Sequence, residues 1–238
     1  MTEPSEAGIP GGRPFIQQEQ LPIAVQLHRY LRMAIIRGDL KPGQQLSEAE
    51  IGKRCSVSRQ PVREAFIKLA EERMVMVLPQ RGTFVNKVSV SQVLDARFVR
   101  EVIEVAVAQE AAMKAPPSAI DELRQIVAAQ GNLAPGSLDE FQALDDDFHR
   151  TLALSVGKEY AWRVIEEVKV QYDRVRYLSL DQASQYPLVV GQHARIIDCI
   201  ESGDPIAAAA ATRTHLREIL TSLPQIAQRH PEAFEPEA

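Results

Sequence analysis

Cys55-Ser56-Val57-Ser58-Arg59-Gln60-Pro61-Val62-Arg63 is the stretch on which the fold turns. A polar turn, Cys55 to Ser58, runs into a helix that Ser58 is suited to cap, with Pro61 in its first turn, where the missing N–H removes no helical bond. Val62, Ala65, Phe66 and Leu69 then recur at helical spacing and give that helix one buried face. Just upstream, Ser47-Glu48-Ala49-Glu50 has the Ser-x-x-Glu form of a capping box. It opens a short helix whose one strong core residue is Ile51, so this helix exists only against neighbours. Further back, Val25, Leu27, Leu31, Ile35 and Ile36 mark a longer helix, ended by Gly38 and the turn Lys41-Pro42-Gly43. Downstream the pattern becomes strand-like. Met74 to Leu78 and Thr83 to Val85 read as two strands around Pro79-Gln80-Arg81-Gly82. Helix, turn, helix and hairpin together predict a winged helix-turn-helix.

The second helix of such a unit enters a major groove with its N-terminal residues towards the base edges. Here those residues are Ser58, Arg59, Gln60 and Arg63. Arg59 and Arg63 are one turn apart on one face, and the planar Arg fork matches guanine O6 and N7. Gln60 suits adenine or a phosphate, and Ser58 with the helix-start amides suits a phosphate. Arg81 and Gly82 put a cation and close backbone approach at the wing tip. Either helix arginine alone is equally well explained as a solvated cation, Arg63 bridging to Glu64 or Asp39. The capped start, apolar opposite face and basic wing together favour double-stranded DNA.

The rest of the chain supports a two-part molecule. It has 238 residues, 45% hydrophobic and 25% charged, with aromatics at 5%, which excludes disordered, collagen-like and coiled-coil classes and leans towards helices. Residues 21–88 carry 12 Lys and Arg against 6 Asp and Glu, whereas residues 89–238 carry 14 against 23. A basic module attached to an acidic one accounts for this, and the basic one suits a polyanion. No apolar run approaches a membrane span, the Ala stretch from Ala207 to Ala211 being far too short, and no export signal opens the chain. A cytoplasmic location is expected. Cys55 and Cys199 make neither a disulfide framework nor a metal knuckle and read as packing residues. Trp162 reads as core or dimer interface, and His28 as exposed. The expected organisation is a flexible tail over 1–20, the winged helix-turn-helix over 21–88, a helical domain over 89–225 and a flexible tail over 226–238. Helices are expected at 91–114, 118–130, 138–156, 159–180, 187–202 and 205–221, short connections implying an antiparallel bundle.

Three stretches of the N-terminal part carry a family resemblance: Arg37-Gly38-Asp39-Leu40-Lys41-Pro42-Gly43-Gln44-Gln45-Leu46, Val57-Ser58-Arg59-Gln60-Pro61-Val62-Arg63-Glu64-Ala65, and Pro79-Gln80-Arg81-Gly82-Thr83-Phe84-Val85. Over Val25 to Val88 the chain resembles the DNA-binding domain of GntR-family transcription regulators. The resemblance implies that Arg59, Arg63, Arg81 and Gly82 meet operator DNA. Gln60 stands where Thr is usual, and Met74 where Gly usually follows the recognition helix.

In the helical part, Asp145 and His149 are one turn apart and lie beside the inward stripe Phe141, Leu144, Phe148, Leu152 and Ser155, whereas Asp146 and Asp147 turn outward. His193 and His215 lie 10 and 12 residues either side of Gly203. An antiparallel pair around that turn therefore levels them to within about 3 Å of rise. The four side chains can converge inside the bundle on one divalent cation, Zn²⁺, Ni²⁺ or Mn²⁺. Each histidine alone is equally a buried ring bonded to a neighbour, and His230 falls in the tail. Arg100 and Glu104 are spaced as a surface ion pair worth under about 1 kcal/mol.

Asp145-Asp146-Asp147-Phe148-His149-Arg150-Thr151-Leu152, Gln192-His193-Ala194-Arg195-Ile196-Ile197, Gly203-Asp204 and His215-Leu216 resemble the FCD ligand-binding domain of the FadR subgroup, over Ser91 to Leu223. That resemblance implies a divalent metal held by Asp145, His149, His193 and His215. It also implies that Arg100 anchors the carboxylate of a small organic acid effector. Gln192 and Lys158 depart from the usual Glu and Asn without removing a ligand. The expectation is a mainly α, ligand-responsive DNA-binding regulator of this family, more a repressor than an activator, acting as a homodimer on a two-fold operator. Two rivals stand beside it: a sensor for which the ion itself is the signal, and a metal-dependent hydrolase carrying a nucleic-acid-binding domain.

Overall fold

A computed structural model describes residues 8–9, 12–18, 20–134, 136–180 and 185–236. The chain divides into two compact units: Met1–Val90 together with His230–Ala238, and Ser91–Arg229.

The first unit contains α1 (Ile23–Arg37), α2 (Glu48–Arg54) and α3 (Arg59–Glu71), with a sheet of β1 (Gln45–Leu46), β2 (Val75–Leu78) and β3 (Gly82–Val85) in the order β1-β3-β2. Leu27, Leu31, Ala34 and Ile35 of α1 are buried, as are Val62, Ala65, Phe66 and Leu69 of α3, and the two helices pack together. Each large apolar side chain so buried is worth about 1.5–3 kcal/mol over leaving it in water, which is what holds the short helices between them. Ser47 caps α2 by accepting from the Glu50 amide. At Gly52 a Cβ would sit 3.0 Å from the Val57 carbonyl, so glycine lets the turn between α2 and α3 close against the helix without the backbone giving way.

The hairpin pairs Val75 with Val85 and Leu78 with Gly82. A third strand, β1, was not expected: Gln45 pairs with Phe84 and Leu46 with Thr83. Two residues give no periodicity to read, and β1 exists because β3 presents an open edge to it. The absent glycine after the recognition helix is also explained. Arg73 takes the left-handed step (φ 55°), and Met74 is fully buried.

Both expected tails differ from the structure where it describes them. Ile9 and Phe15 are buried, and the Tyr30 hydroxyl accepts from the Ile9 amide and donates to the Arg13 carbonyl, each at 2.8 Å. Residues 1–7, 10, 11 and 19 lie outside the described residues. At the other end, Val88 donates to the Ala233 carbonyl and accepts from the Glu235 amide, with Phe234 buried. His28 is not exposed either; its Nε2 lies 2.8 Å from Glu72.

The second unit is helical: α4 (Val90–Lys114, which begins at the boundary), α5 (Pro117–Gly131), α6 (Leu138–Leu154), α7 (Glu159–Val168), α8 (Val170–Leu180), α9 (Gln185–Glu201) and α10 (Pro205–Arg229). Phe148, Leu152, Trp162, Ile165, Ile196, Ile197 and Ala208 belong to its core. Cys199 joins that core, while Cys55 is buried in the first unit, where burial pushes its thiol up to about 11. The segment 159–180, expected as one helix, breaks at Lys169. No breaker marks the place. The Lys169 ammonium is buried and lies 2.8 Å from both Asp146 oxygens and from Asp173 Oδ2. Asp146, expected to turn outward, is thus half-buried and engaged. Helix α10 continues past its expected end because Leu223 and Ile226 extend its buried stripe across Pro224.

Candidate functional site

Two sites were expected, and each lies within one unit. In the first unit Ser58, Arg59, Gln60 and Arg63 are exposed at the start of α3. Ser58 is the N-cap residue, and its hydroxyl makes no capping bond. Arg63 is held in a two-pronged bond to Glu48 of α2, Nε to Oε1 at 2.9 Å and Nη2 to Oε2 at 3.1 Å. Its partner is therefore neither Glu64 nor Asp39. Gln60 donates to Glu64 at 3.0 Å. In the wing, Arg81 is exposed and its carbonyl accepts from Gln45. Gly82 has φ +108°, a backbone conformation that favours glycine, while a Cβ there would meet only the movable end of the Gln45 side chain, at 2.8 Å.

In the second unit Asp145 and His149 of α6, His193 of α9 and His215 of α10 are all buried, and each offers a ligand atom within 4.8 Å of the others. The far nitrogen of every ring is tied back. His149 Nδ1 lies 2.5 Å from Glu104 Oε2, His193 Nδ1 is 2.9 Å from Gln130 Oε1, and His215 Nδ1 is 2.8 Å from Gln192 Oε1. A carboxylate only accepts, and a proton on Nδ1 is the tautomer that suits the Glu104 oxygen beside His149 and the glutamine oxygens beside His193 and His215. Each Nε2 then turns a lone pair inward. The His149 and His215 Nε2 atoms are 3.3 Å apart, and His193 Nε2 is 3.6 Å from Asp145 Oδ1. Phe148 stacks on His193 with ring centroids 4.0 Å apart and fixes its plane.

The electrostatics match this arrangement. Burial pushes the His193 pKa down to about 3 and that of His215 well below its ordinary value, so both rings are neutral. Burial alone would raise the Asp145 carboxyl, but the groups around it, foremost Arg176 at 2.5 Å from Oδ2, together hold it well below the carboxylate range. One ionised carboxylate thus faces the neutral rings of His193 and His215, with His149 Nε2 beside them. His193 Nε2 and Asp145 Oδ1 are shut off from solvent with no hydrogen-bond partner. Such atoms are costly to bury, and a divalent cation satisfies them all at once. The residues fit the ion.

Arg100 is not on the surface. It is 2% exposed, donates from Nε to Glu104 Oε1 at 2.6 Å and lies over the Tyr172 ring. Arg100, Glu104 and His149 therefore form one buried chain of contacts. The sequence pattern points to the four candidate ligands but not to what supports them. Glu104 was seen only as the partner of Arg100, and Gln192 only as a departure from the family pattern. Gln130 and Arg176 gave no signal, their contacts being long-range.

Comparison with known proteins agrees with both halves. Residues 23–85 match the model for bacterial regulatory proteins of the gntR family, and residues 95–218 match the FCD domain. The HTH-type transcriptional repressor RspR of Escherichia coli (strain K12) is 41% identical over 217 residues, spanning 91% of this chain and 95% of that protein. An HTH-type transcriptional regulator in an unstable DNA locus of Streptomyces ambofaciens is 36% identical over 87% of this chain and 88% of its own. Among solved structures, a GntR transcriptional regulator from Rhodococcus sp. RHA1 superposes with a TM-score of 0.69 at 26% identity, covering 86% of this chain and 97% of that one. Escherichia coli McbR/YncC reaches 0.71 at 16% identity, over 89% and 100%, and shares the fold.

Proposed function

The chain belongs to the GntR family of bacterial regulatory proteins, with a FadR-like FCD domain, and from that premise we propose that it is a metal-dependent sensor of a small organic acid. A member of this family is a DNA-binding transcription regulator and not an enzyme, which removes the hydrolase rival. No helix among the described residues is long and apolar enough to cross a membrane.

Asp145, His149, His193 and His215 hold one divalent ion, Zn²⁺, Ni²⁺ or Mn²⁺, in this reading. The observation that carries it is the tying back of all three Nδ1 atoms, with His193 Nε2 and Asp145 Oδ1 left unpartnered. The bound ion supplies positive charge to an interior where buried Arg100, Lys169, Arg174 and Arg176 already balance Glu104, Asp145, Asp173 and half-buried Asp146. The surplus favours an anion, with Arg100 as its carboxylate anchor. Ser58, Arg59, Gln60, Arg63, Arg81 and Gly82 form the operator-reading face. One short helix reads few bases, so a homodimer on a two-fold operator supplies the specificity. Effector binding repositions α6, α9 and α10, changes the spacing of the two reading heads and weakens operator affinity, which is repression relieved by ligand.

Thermal-shift screening with a carboxylic-acid panel, with and without chelator, tests the proposal. An acid-induced rise in melting temperature abolished by chelator supports it; a rise indifferent to chelator and to His193→Ala contradicts the metal role. One observation favours a second reading, in which the ion is the signal: Arg100 is already neutralised by Glu104. Operator binding that responds to metal alone and ignores every acid would establish that version.

A further inference from the structure

Buried polar atoms without partners are uncommon because each retains its desolvation cost. Among the described residues, Gln142 is the side chain with both polar atoms in that condition: Nε2 and Oε1 are closed to solvent, and neither has a hydrogen-bond partner. Exchanging the two atoms leaves the same deficit, so an amide flip does not cure it. Gln142 is 5% exposed and lies in α6 three residues before Asp145 and seven before His149, on the helix face that carries both candidate ligands. Beside it Phe141 stacks on Tyr186, ring centroids 4.1 Å apart, and gives this end of the helix an apolar flank. The amide thus keeps a donor and an acceptor in reserve on the sensing face.

We infer that Gln142 reads a hydroxyl group of the effector, and that the anion taken by this sensor is a hydroxy acid; this rests on the metal-and-acid reading above. A plain carboxylate only accepts. It satisfies Nε2 and leaves Oε1 opposed to further lone pairs. A hydroxyl adjoining a carboxylate presents a donor and an acceptor side by side, which is what the edge of an amide complements. A site built to hydrogen-bond a hydroxyl discriminates against the analogue lacking it, because its own polar atom is then stranded.

The test is calorimetric titration of the full-length protein, loaded in turn with Zn²⁺, Ni²⁺ and Mn²⁺, using acids matched but for one hydroxyl: glycolate with acetate, lactate with propionate, malate with succinate. In at least one pair the hydroxylated member is expected to bind about 10-fold tighter or more, the worth of one buried hydrogen bond. Gln142→Met, and independently Gln142→Leu, are expected to bring that ratio close to unity while keeping the metal-induced rise in melting temperature. Acids that bind the wild type without preference overturn this inference and leave the metal-and-acid reading standing. A preference that survives both substitutions also overturns it, since another group then reads the hydroxyl. Silence from every acid overturns the inference and the underlying reading together. If neither variant folds, a wild-type ratio near unity still overturns the inference.

Discussion

At His193 the ring sets Nδ1 against Gln130 Oε1 at 2.9 Å and turns Nε2 to Asp145 in the interior of the bundle. A candidate ligand so held is oriented before any ion arrives, and removing such a support typically lowers metal affinity about 10–100-fold. Gln130→Leu is expected to show a loss of that size in a competition titration with a chromogenic chelator; unchanged affinity would mean that the Gln130 bond does not orient the ring. Protonation gives a second handle. His193 and His215 stay neutral in the folded protein far below the ordinary histidine value. In the unfolded chain they take up protons near pH 6.5, so below that pH the unfolded state binds more protons than the folded one. Chelator-treated protein should therefore lose stability as the pH falls from about 7 towards 4, and these rings should contribute no pH dependence above about 7. Urea midpoints across that range decide it; a flat profile would mean that the rings titrate normally. At this scale the convergence of the four candidate ligands was legible because Asp145 and His149 are one turn apart and His193 and His215 are nearly equidistant from Gly203. Gln130 was not, since no local pattern links it to a ring in a different helix.

Among the elements, α3 and the wing behave as their sequences require. Apolar spacing makes the helix even though the Ser58 hydroxyl makes no capping bond, and Gly82 makes the turn. The strand β1 and the break at Lys169 were hidden for one shared reason: both are imposed by partners remote in sequence. The open edge of β3 recruits two residues that show no alternation of their own. The carboxylates of Asp146 and Asp173 fix an ammonium in the middle of what reads as continuous helix. Taking away one member of a buried ion pair leaves an uncompensated charge, so Lys169→Ala should destabilise the protein by about 3–5 kcal/mol in denaturant unfolding. A loss below about 1 kcal/mol would make the contact a surface-type pair. On the reading face, Arg59→Ala and Arg63→Ala should each weaken operator binding by about 1–3 kcal/mol and relax base preference at one position per half-site. Gel-shift titration against single-base operator variants measures both effects. An equal loss across all variants would mean that these arginines hold phosphates.

For the molecule as a whole, the charge pattern outweighs the net charge. The chain is at −5 overall, yet residues 21–88 carry twice as many basic as acidic side chains. Operator affinity should accordingly fall steeply as salt rises, as counterions released from the phosphates compete for the same cations. A salt-independent affinity would contradict the basic reading face. The division into a basic and an acidic part was plain from that count, and the helical bundle from its breakers. The end of the chain was misread because three glutamates and two prolines among residues 226–238 look like solvated tail. Their composition hides Phe234, whose burial beside Val88 returns the segment to the first unit.

Native mass spectrometry of the purified protein, after dialysis against Zn²⁺, Ni²⁺ or Mn²⁺ in turn, addresses the central claim most directly. One divalent ion per chain is predicted for the wild type with at least one of these metals, and none for His193→Ala under the same conditions. A wild-type chain that stays folded and takes up no ion, or a His193→Ala variant that retains one, would contradict the account.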